Sequence, residues 1–308
     1  MFSKKLLIPL LSLSLLVTPA YSSHAAENTE AAETSVEGQG MLSPSSSSES
    51  SESVFNGSGA GTSSEPVTDE KLETILKQVQ SQLPAENGTW AVFISDLVNG
   101  TEGSLNDQKM QAASLIKLYI MGAVYEDYDS LSSKYSKDQL DNALNSMITV
   151  SDNDAANTLT TYLGGGDSAA GMQAVNSFCQ AHGYDQTHMG RMLLASNEND
   201  DNYTSVGDCG HLLQEIYKQD TSGYTHAADM FNLLKAQTRC NKIPAQLPEG
   251  VKTANKTGEL DNVENDAGII YDSKNDVVIV FMSQNLSSAG SAQNTIATLS
   301  RTIYDYYN

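Results

Sequence analysis

Ala113-Ser114-Leu115-Ile116-Lys117-Leu118-Tyr119-Ile120-Met121-Gly122-Ala123-Val124-Tyr125 is apolar on nearly every side once wound into a helix, with one serine at its start and one lysine a turn later. Such a helix belongs inside a core, not on a surface. Residues three apart share a helix face, so Lys117 can bring its amine beside the Ser114 hydroxyl. A serine is a poor nucleophile until a base accepts its proton. A lysine serves as that base if desolvation and a neighbouring cation lower its pKa. The flanking Leu115, Ile116 and Leu118 supply the first condition and Lys256 is a candidate for the second. The free N–H groups at the helix start suit a developing oxyanion.

Upstream of this helix, Trp90 to Leu97 followed by Asn99-Gly100 reads as a strand entering a tight turn. Downstream the pattern is helical over Lys137 to Ile148, Asp154 to Leu163, Ser168 to His182, Asp208 to Lys218 and Ala227 to Thr238. Strand signals return in Lys252 to Thr257, Ala267 to Tyr271 and Val277 to Gln284, before an amphipathic helix from Ala292 to Tyr307. Strands at both ends of a helical centre predict an α+β fold, with one sheet built from the two ends and an all-α domain inserted between them. The cleft between the two parts is the natural ligand site.

The ends of the 308-residue chain narrow its setting. Lys4 and Lys5, the apolar run Leu6 to Val17 and the small residues Ser23 and Ala25 predict a secretory signal peptide over residues 1–25. Residues 26–66 are rich in Ser and Glu and predict a disordered linker. The remaining residues, 67–308, are enough for one sizeable core. No later stretch is long and apolar enough for a membrane span. The expected mature product is secreted, or held near the cell envelope, as a soluble monomer. A net charge of -21, from 38 acidic against 17 basic residues, argues against nucleic acid as a partner. Cys179, Cys209 and Cys240 lack zinc-ligand spacing and the five histidines form no HxH or HExxH pattern, so neither a metal nor another cofactor is expected. A Cys209–Cys240 bridge is the favoured pairing, with Cys179 a buried thiol.

Two further motifs follow Ser114-Leu115-Ile116-Lys117 in order: Ser151-Asp152-Asn153 and Lys256-Thr257-Gly258. An SxxK is expected about once by chance in a chain this long, and an SDN or KTG roughly 0.05 to 0.1 times each. All three in this order is not an accident of composition. Ser151 falls between helices, where a hydroxyl can relay a proton, and Asn153 can offer its amide to a substrate carbonyl. Asp152 reads as a helix N-cap holding the loop. Lys256 and Thr257 end a predicted strand and suit a carboxylate, and Gly258 lets a substrate approach the strand edge.

These residues resemble the signature set of class A β-lactamases and penicillin-binding relatives. Arg191, Asn202 to Ser205, the Ile243-Pro244-Ala245-Gln246-Leu247-Pro248 run and Asp266 to Tyr271 extend the likeness over roughly 72–307. It implies a β-lactamase/transpeptidase-like fold with an antiparallel sheet flanked by helices. It also implies acylation of Ser114, proton transfer by Lys117 and Ser151, and a grip on the substrate amide by Asn153. Lys256 and Thr257 would hold the substrate carboxylate, and the N–H groups of Ser114 and Glu259 would form the oxyanion hole. Lys242 lies where some relatives place a carboxylate-binding arginine.

The pattern breaks at one place. Two residues after the omega-loop arginine the family has a glutamate that activates the deacylating water, and here Arg191 is followed by Met192 and Leu193. Glu198 is the nearest substitute, within a run that reads as exposed polar surface. Three readings follow: a β-lactam hydrolase with an unorthodox release step, a peptidase acting on D-Ala-D-Ala ends of peptidoglycan stem peptides, and a penicillin-binding sensor with a long-lived adduct.

Overall fold

In the computed structural model, residues 69–219 and 224–308 are described. The expected signal segment and linker lie outside them. A five-stranded antiparallel sheet runs in the order β2 (Thr101–Leu105), β1 (Thr89–Asp96), β7 (Val277–Gln284), β6 (Val263–Tyr271), β5 (Lys252–Leu260). Strands from both ends of the domain therefore pair directly, with β1 against β7 in register from Thr89↔Gln284 to Asp96↔Val277.

Alternation along the strands sorts their side chains into two cores. Trp90, Val92 and Ile94 of β1 with Val277, Ile279 and Phe281 of β7 face one way. They are covered by α1 (Glu70–Gln82) and α9 (Ala289–Tyr307), through Leu72, Ile75, Ile296 and Ile303. The other face, with Phe93, Val278, Val280 and Met282, joins the larger core of the helical region. That region holds α2 (Ile116–Glu126), α3 (Tyr128–Lys134), α4 (Lys137–Thr149), α5 (Asn153–Leu163), α6 (Ser168–Ala181), α7 (Val206–Lys218) and α8 (Ala227–Lys235). A short pair, β3 (Met110–Gln111) and β4 (Tyr203–Thr204), ties the start of α2 to the end of the loop that follows α6.

The expected helix at 113–125 begins as a 3-10 turn, Ala113–Leu115, and continues as α2, of which every residue from Ile116 to Tyr125 is buried. Apolarity all round produced that outcome, because no face of the helix is left for water. β5 is longer than its sequence suggests: it passes through the Lys256-Thr257-Gly258 motif and pairs with β6 as far as Leu260↔Val263. The Cys209–Cys240 bridge is not formed. All three cysteines are free, Cys209 sitting in the core against Tyr119 while Cys240 is exposed. Among the described residues no helix is long and apolar enough to cross a membrane.

Candidate active site

Ser114 is presented by a tight turn between β3 and α2. Ala113 there takes a φ of +47°, a left-handed conformation unusual outside glycine, in which alanine's single methyl is the least crowded side chain. One turn into the buried helix, Lys117 has no exposed surface. Its Nζ lies 3.2 Å from Ser114 Oγ, 3.1 Å from Ser151 Oγ, 2.7 Å from the Ser151 carbonyl and 2.7 Å from Asn153 Oδ1. Burial, reinforced by the positive charge of Arg239 and opposed by Asp152, brings its amine down to a pKa of about 8.

Ser151 joins this amine to a second one. Lys256, also fully buried, places Nζ 2.9 Å from Ser151 Oγ and 2.7 Å from the Thr257 carbonyl. Burial and the nearby charge of Lys117 hold it well below the usual lysine range. Ser151 itself has φ +62°, at the bend between α4 and α5 that turns its hydroxyl toward both amines. Asp152 is the N-cap of α5, accepting from the Ala155 N–H at 2.7 Å, as its sequence position predicts. Asn153 turns its oxygen to Lys117 and lines the cleft, which leaves its amide N–H groups for a ligand.

Gly258 is where β5 passes against the Ser114 turn. A Cβ there would stand 2.9 Å from the Ala112 carbonyl oxygen and 3.2 Å from the Ser114 nitrogen, so any side chain would push the strand off the turn. This close approach sets the next residue of β5, Glu259, at the cleft beside Ser114. Thr257 is 1% exposed and its Oγ1 has no hydrogen-bond partner.

The cleft encloses about 530 Å³ between β5 with its following turn and the loop at 191–197. Ser114, Asn153, Arg191, Leu193 and Glu259 line it. Leu193 is held from both sides by Asn157: its N–H donates to Asn157 Oδ1 at 2.8 Å, and Asn157 Nδ2 donates to its carbonyl at 3.1 Å. Arg191 Nε bonds Asp201 at 2.6 Å and pins the other end of the loop. Glu198 stands exposed outside the cleft, as an ordinary member of its polar run.

Lys242 is not brought to the cleft. Its Nζ is fully buried and paired with Glu264 at 2.6 Å and Glu259 at 3.1 Å. The cation on the exposed side of Glu259 is Arg239, 43% exposed, which holds Glu259 at 2.9 Å and reaches the Val150 carbonyl at 3.5 Å. Nothing in the sequence around Arg239 marks it; only the folding of the segment after α8 across the end of β5 places it there. Breaking a buried pair leaves a charge uncompensated. Lys242→Ala, which strands Glu264 at 4% side-chain exposure, is expected to cost about 3–5 kcal/mol of stability in urea unfolding. A substrate-binding role alone would leave the midpoint unmoved.

A neutral Lys117 is the form that can accept a proton, and its fraction rises with pH through a pKa of about 8. If Ser114 is acylated with this amine as its base, as the sequence resemblance implies, the rate should climb about tenfold per pH unit below that value and level off above it. Since Lys117 and Lys256 share Ser151, the midpoint belongs to the cluster. Second-order labelling rates from pH 6 to 10 give the profile, and a flat one contradicts the assignment of an amine as base.

Comparison with known proteins adds a family and a set of shared folds. The sequence pattern of the beta-lactamase enzyme family matches residues 71–139 and 130–307. No curated protein matches the chain in sequence. Among solved structures, PBP-A aligns with a TM-score of 0.67 at 22% identity, covering 76% of this chain and 96% of its own. A beta-lactamase from Sphaerobacter thermophilus aligns at 0.63 and 21% identity, covering 75% and 95%. The class A beta-lactamase of the last common ancestor of Gram-negative bacteria aligns at 0.65 and 19%, covering 76% and 100%. At these identities the structural likenesses establish the β-lactamase/transpeptidase-like fold.

Proposed function

The chain belongs to the beta-lactamase enzyme family, and on that footing we propose that it opens β-lactam rings by transferring their acyl group to Ser114 and releases that group slowly. Ser114 Oγ bonds to the ring carbonyl carbon while its proton passes to the neutral amine of Lys117. The carbonyl oxygen becomes an oxyanion facing the N–H groups of Ser114 and Glu259. As the ring C–N bond breaks, the leaving nitrogen takes a proton from Ser151 Oγ, replenished from the amines of Lys117 and Lys256. Asn153 holds the substrate amide, and Lys256 and Thr257 mark the carboxylate end.

The observation that carries this reading is the contact of Lys117 Nζ, a side chain with no exposed surface, with both Ser114 Oγ and Ser151 Oγ, at 3.2 and 3.1 Å. Slow release follows from Leu193, which stands in the cleft where the resemblance calls for a general base. Intact-mass spectrometry after exposure to benzylpenicillin tests both halves. A single adduct that maps to Ser114 and persists after removal of free drug is the expected result; an unmodified mass after prolonged exposure rejects acylation.

Leu193 also favours a second reading over a fast hydrolase, an acyl transfer enzyme acting on D-Ala-D-Ala ends of peptidoglycan stem peptides. There the amine of the released D-alanine takes the proton from Ser151. Release of D-alanine from a model stem peptide, absent in Ser114→Ala, distinguishes it. The signal-like segment at 1–25 fits an exported enzyme meeting either substrate outside the cytoplasm.

A further inference from the structure

A second cavity, of about 270 Å³, lies in the helical region and shares no lining residue with the cleft at Ser114. The last turn of α2, the start of α3, α4 and the start of α8 contribute its lining. Three rings line it together. Tyr125 stacks on Tyr128 with ring centroids 5.6 Å apart and on His226 at 5.1 Å, while Tyr128 and His226 are 5.2 Å apart. Both tyrosines are 8% exposed, so the rings are set into the surface and not laid upon it.

Each ring next to Tyr125 holds a carboxylate. Tyr128 donates its hydroxyl to Asp141 Oδ1, and His226 Nδ1 meets Asp229 Oδ2 at 2.9 Å. Two acidic groups are thereby fixed beside Tyr125, each with its second oxygen unbonded among the described residues. Tyr125 gives a separate indication of a ligand. Its side chain is more than nine-tenths buried and lines the cavity, yet its hydroxyl has no hydrogen-bond partner among the described residues. Burial, with the charges of Asp229 and Asp141 nearby, holds the phenol above its usual range, so it stays a neutral hydroxyl with an acceptor oxygen.

Three acceptors with spare capacity therefore belong to one cavity: Asp141 Oδ2, Asp229 Oδ1 and the Tyr125 oxygen. A primary ammonium brings three N–H donors and no acceptor, and its charge is opposite to that of both carboxylates. An apolar body carrying it gains contact with the rings. An anion would instead meet two like charges against the single Lys137, which stands exposed at the rim. We infer that this cavity binds a small organic cation, a primary amine on an apolar or aromatic body, at a site separate from the acyl-transfer cleft. Asp141 and Asp229 hold the ammonium, Tyr125 completes its bonds, and the like charge of Lys137 limits the affinity.

The test titrates phenethylamine, and the uncharged phenethyl alcohol with the same body, into the full chain by amide chemical-shift mapping. The amine is expected to saturate with a millimolar or tighter Kd, with its shifts gathered at residues 125–129, 137–141 and 226–233. The alcohol should bind about tenfold more weakly or worse. Asp229→Asn and Asp141→Asn, both at exposed positions that spare the fold, should each weaken the amine about tenfold and leave the alcohol unchanged. Tyr125→Phe keeps the ring and should weaken the amine about threefold, whereas Lys137→Met should tighten it about threefold. Shifts scattered over the surface without saturation, equal binding of amine and alcohol, or asparagine variants that bind the amine as the parent does each overturn the inference. Ser114→Ala should bind the amine unchanged, whatever the chemistry at that serine; loss of binding there would put the amine in the cleft and overturn the inference as well.

Discussion

Lys117→Met should slow acylation of Ser114 about 10³-fold, the scale of a general base removed from an otherwise assembled site, without destabilising the fold. Methionine approximates the length and volume of the lysine stem and needs no proton acceptors, so no cavity is opened in the fully buried first turn of α2. The lysine is an expensive residue to keep there: burial alone is the largest influence pulling its pKa down from 10.5 to about 8. The sign of that shift sets the stability consequence. A cationic group whose pKa is depressed on folding is penalised wherever the unfolded chain is charged, so the native lysine weighs against folding most strongly below pH 8, and the penalty fades as pH rises from 8 to 10.5. At neutral pH the methionine variant should hold or raise the midpoint of thermal unfolding while losing the labelling reaction. Ser151 and Asn153 do lose a donor, but Ser151 Oγ keeps Lys256 at 2.9 Å and Asn153 borders the open cleft, where water can replace the bond. Stopped-flow labelling with a chromogenic cephalosporin and a melting curve measure the two quantities on one sample. A labelling rate within tenfold of the parent would show that some other group takes the serine proton.

That trade of stability for reactivity explains what was legible in the sequence and what was not. Ser114, Lys117, Ser151, Asn153 and Lys256 were recoverable because each motif is local: a helix face, a capped loop and a strand bring their own members together at fixed spacings. The two-core alternation of β1 and β7 is equally local, a period of two written in Trp90, Val92, Ile94 and Val277, Ile279, Phe281. The end of β5 was misjudged for the opposite reason. Gly258 reads as a strand edge left open to a substrate, whereas the Ala112 carbonyl, 146 positions away in sequence numbering, stands 2.9 Å from where its Cβ would be. Lys242 and Arg239 are three residues apart and carry the same charge, yet one is sealed against Glu264 and the other is exposed to solvent beside Glu259. Composition cannot separate them, because the difference lies in which carboxylates β5 and β6 bring to meet each one. The cysteine pairing failed likewise: Cys209 is committed to a core position on α7 beside Tyr119 and Thr204, out of reach of an exposed Cys240.

Leu193→Glu is expected to shorten the life of the Ser114 adduct by about 10²-fold while changing its rate of formation little. Leu193 lines the same cleft as Ser114 and Asn153, and its backbone is fixed on both sides by Asn157, at 2.8 and 3.1 Å. A glutamate introduced at that position inherits the fixed backbone, so its carboxylate is delivered to the cleft wall and not to solvent. Deacylation needs a water whose proton is taken as its oxygen attacks the ester carbonyl, and a carboxylate is a base strong enough for that task once partly desolvated. The substitution replaces a side chain that is 8% exposed, which raises the carboxyl pKa toward the range of a working base, while the amine of Lys117 across the site opposes the rise. Asn157→Ala in the same background separates placement from mere presence of a carboxylate: with both anchoring bonds gone, most of the gain should vanish. Adduct decay is followed by intact mass after rapid removal of free drug. If the glutamate variant holds its acyl group as long as the parent, the missing base is not what limits release, and the slow step must lie in access of water to the ester.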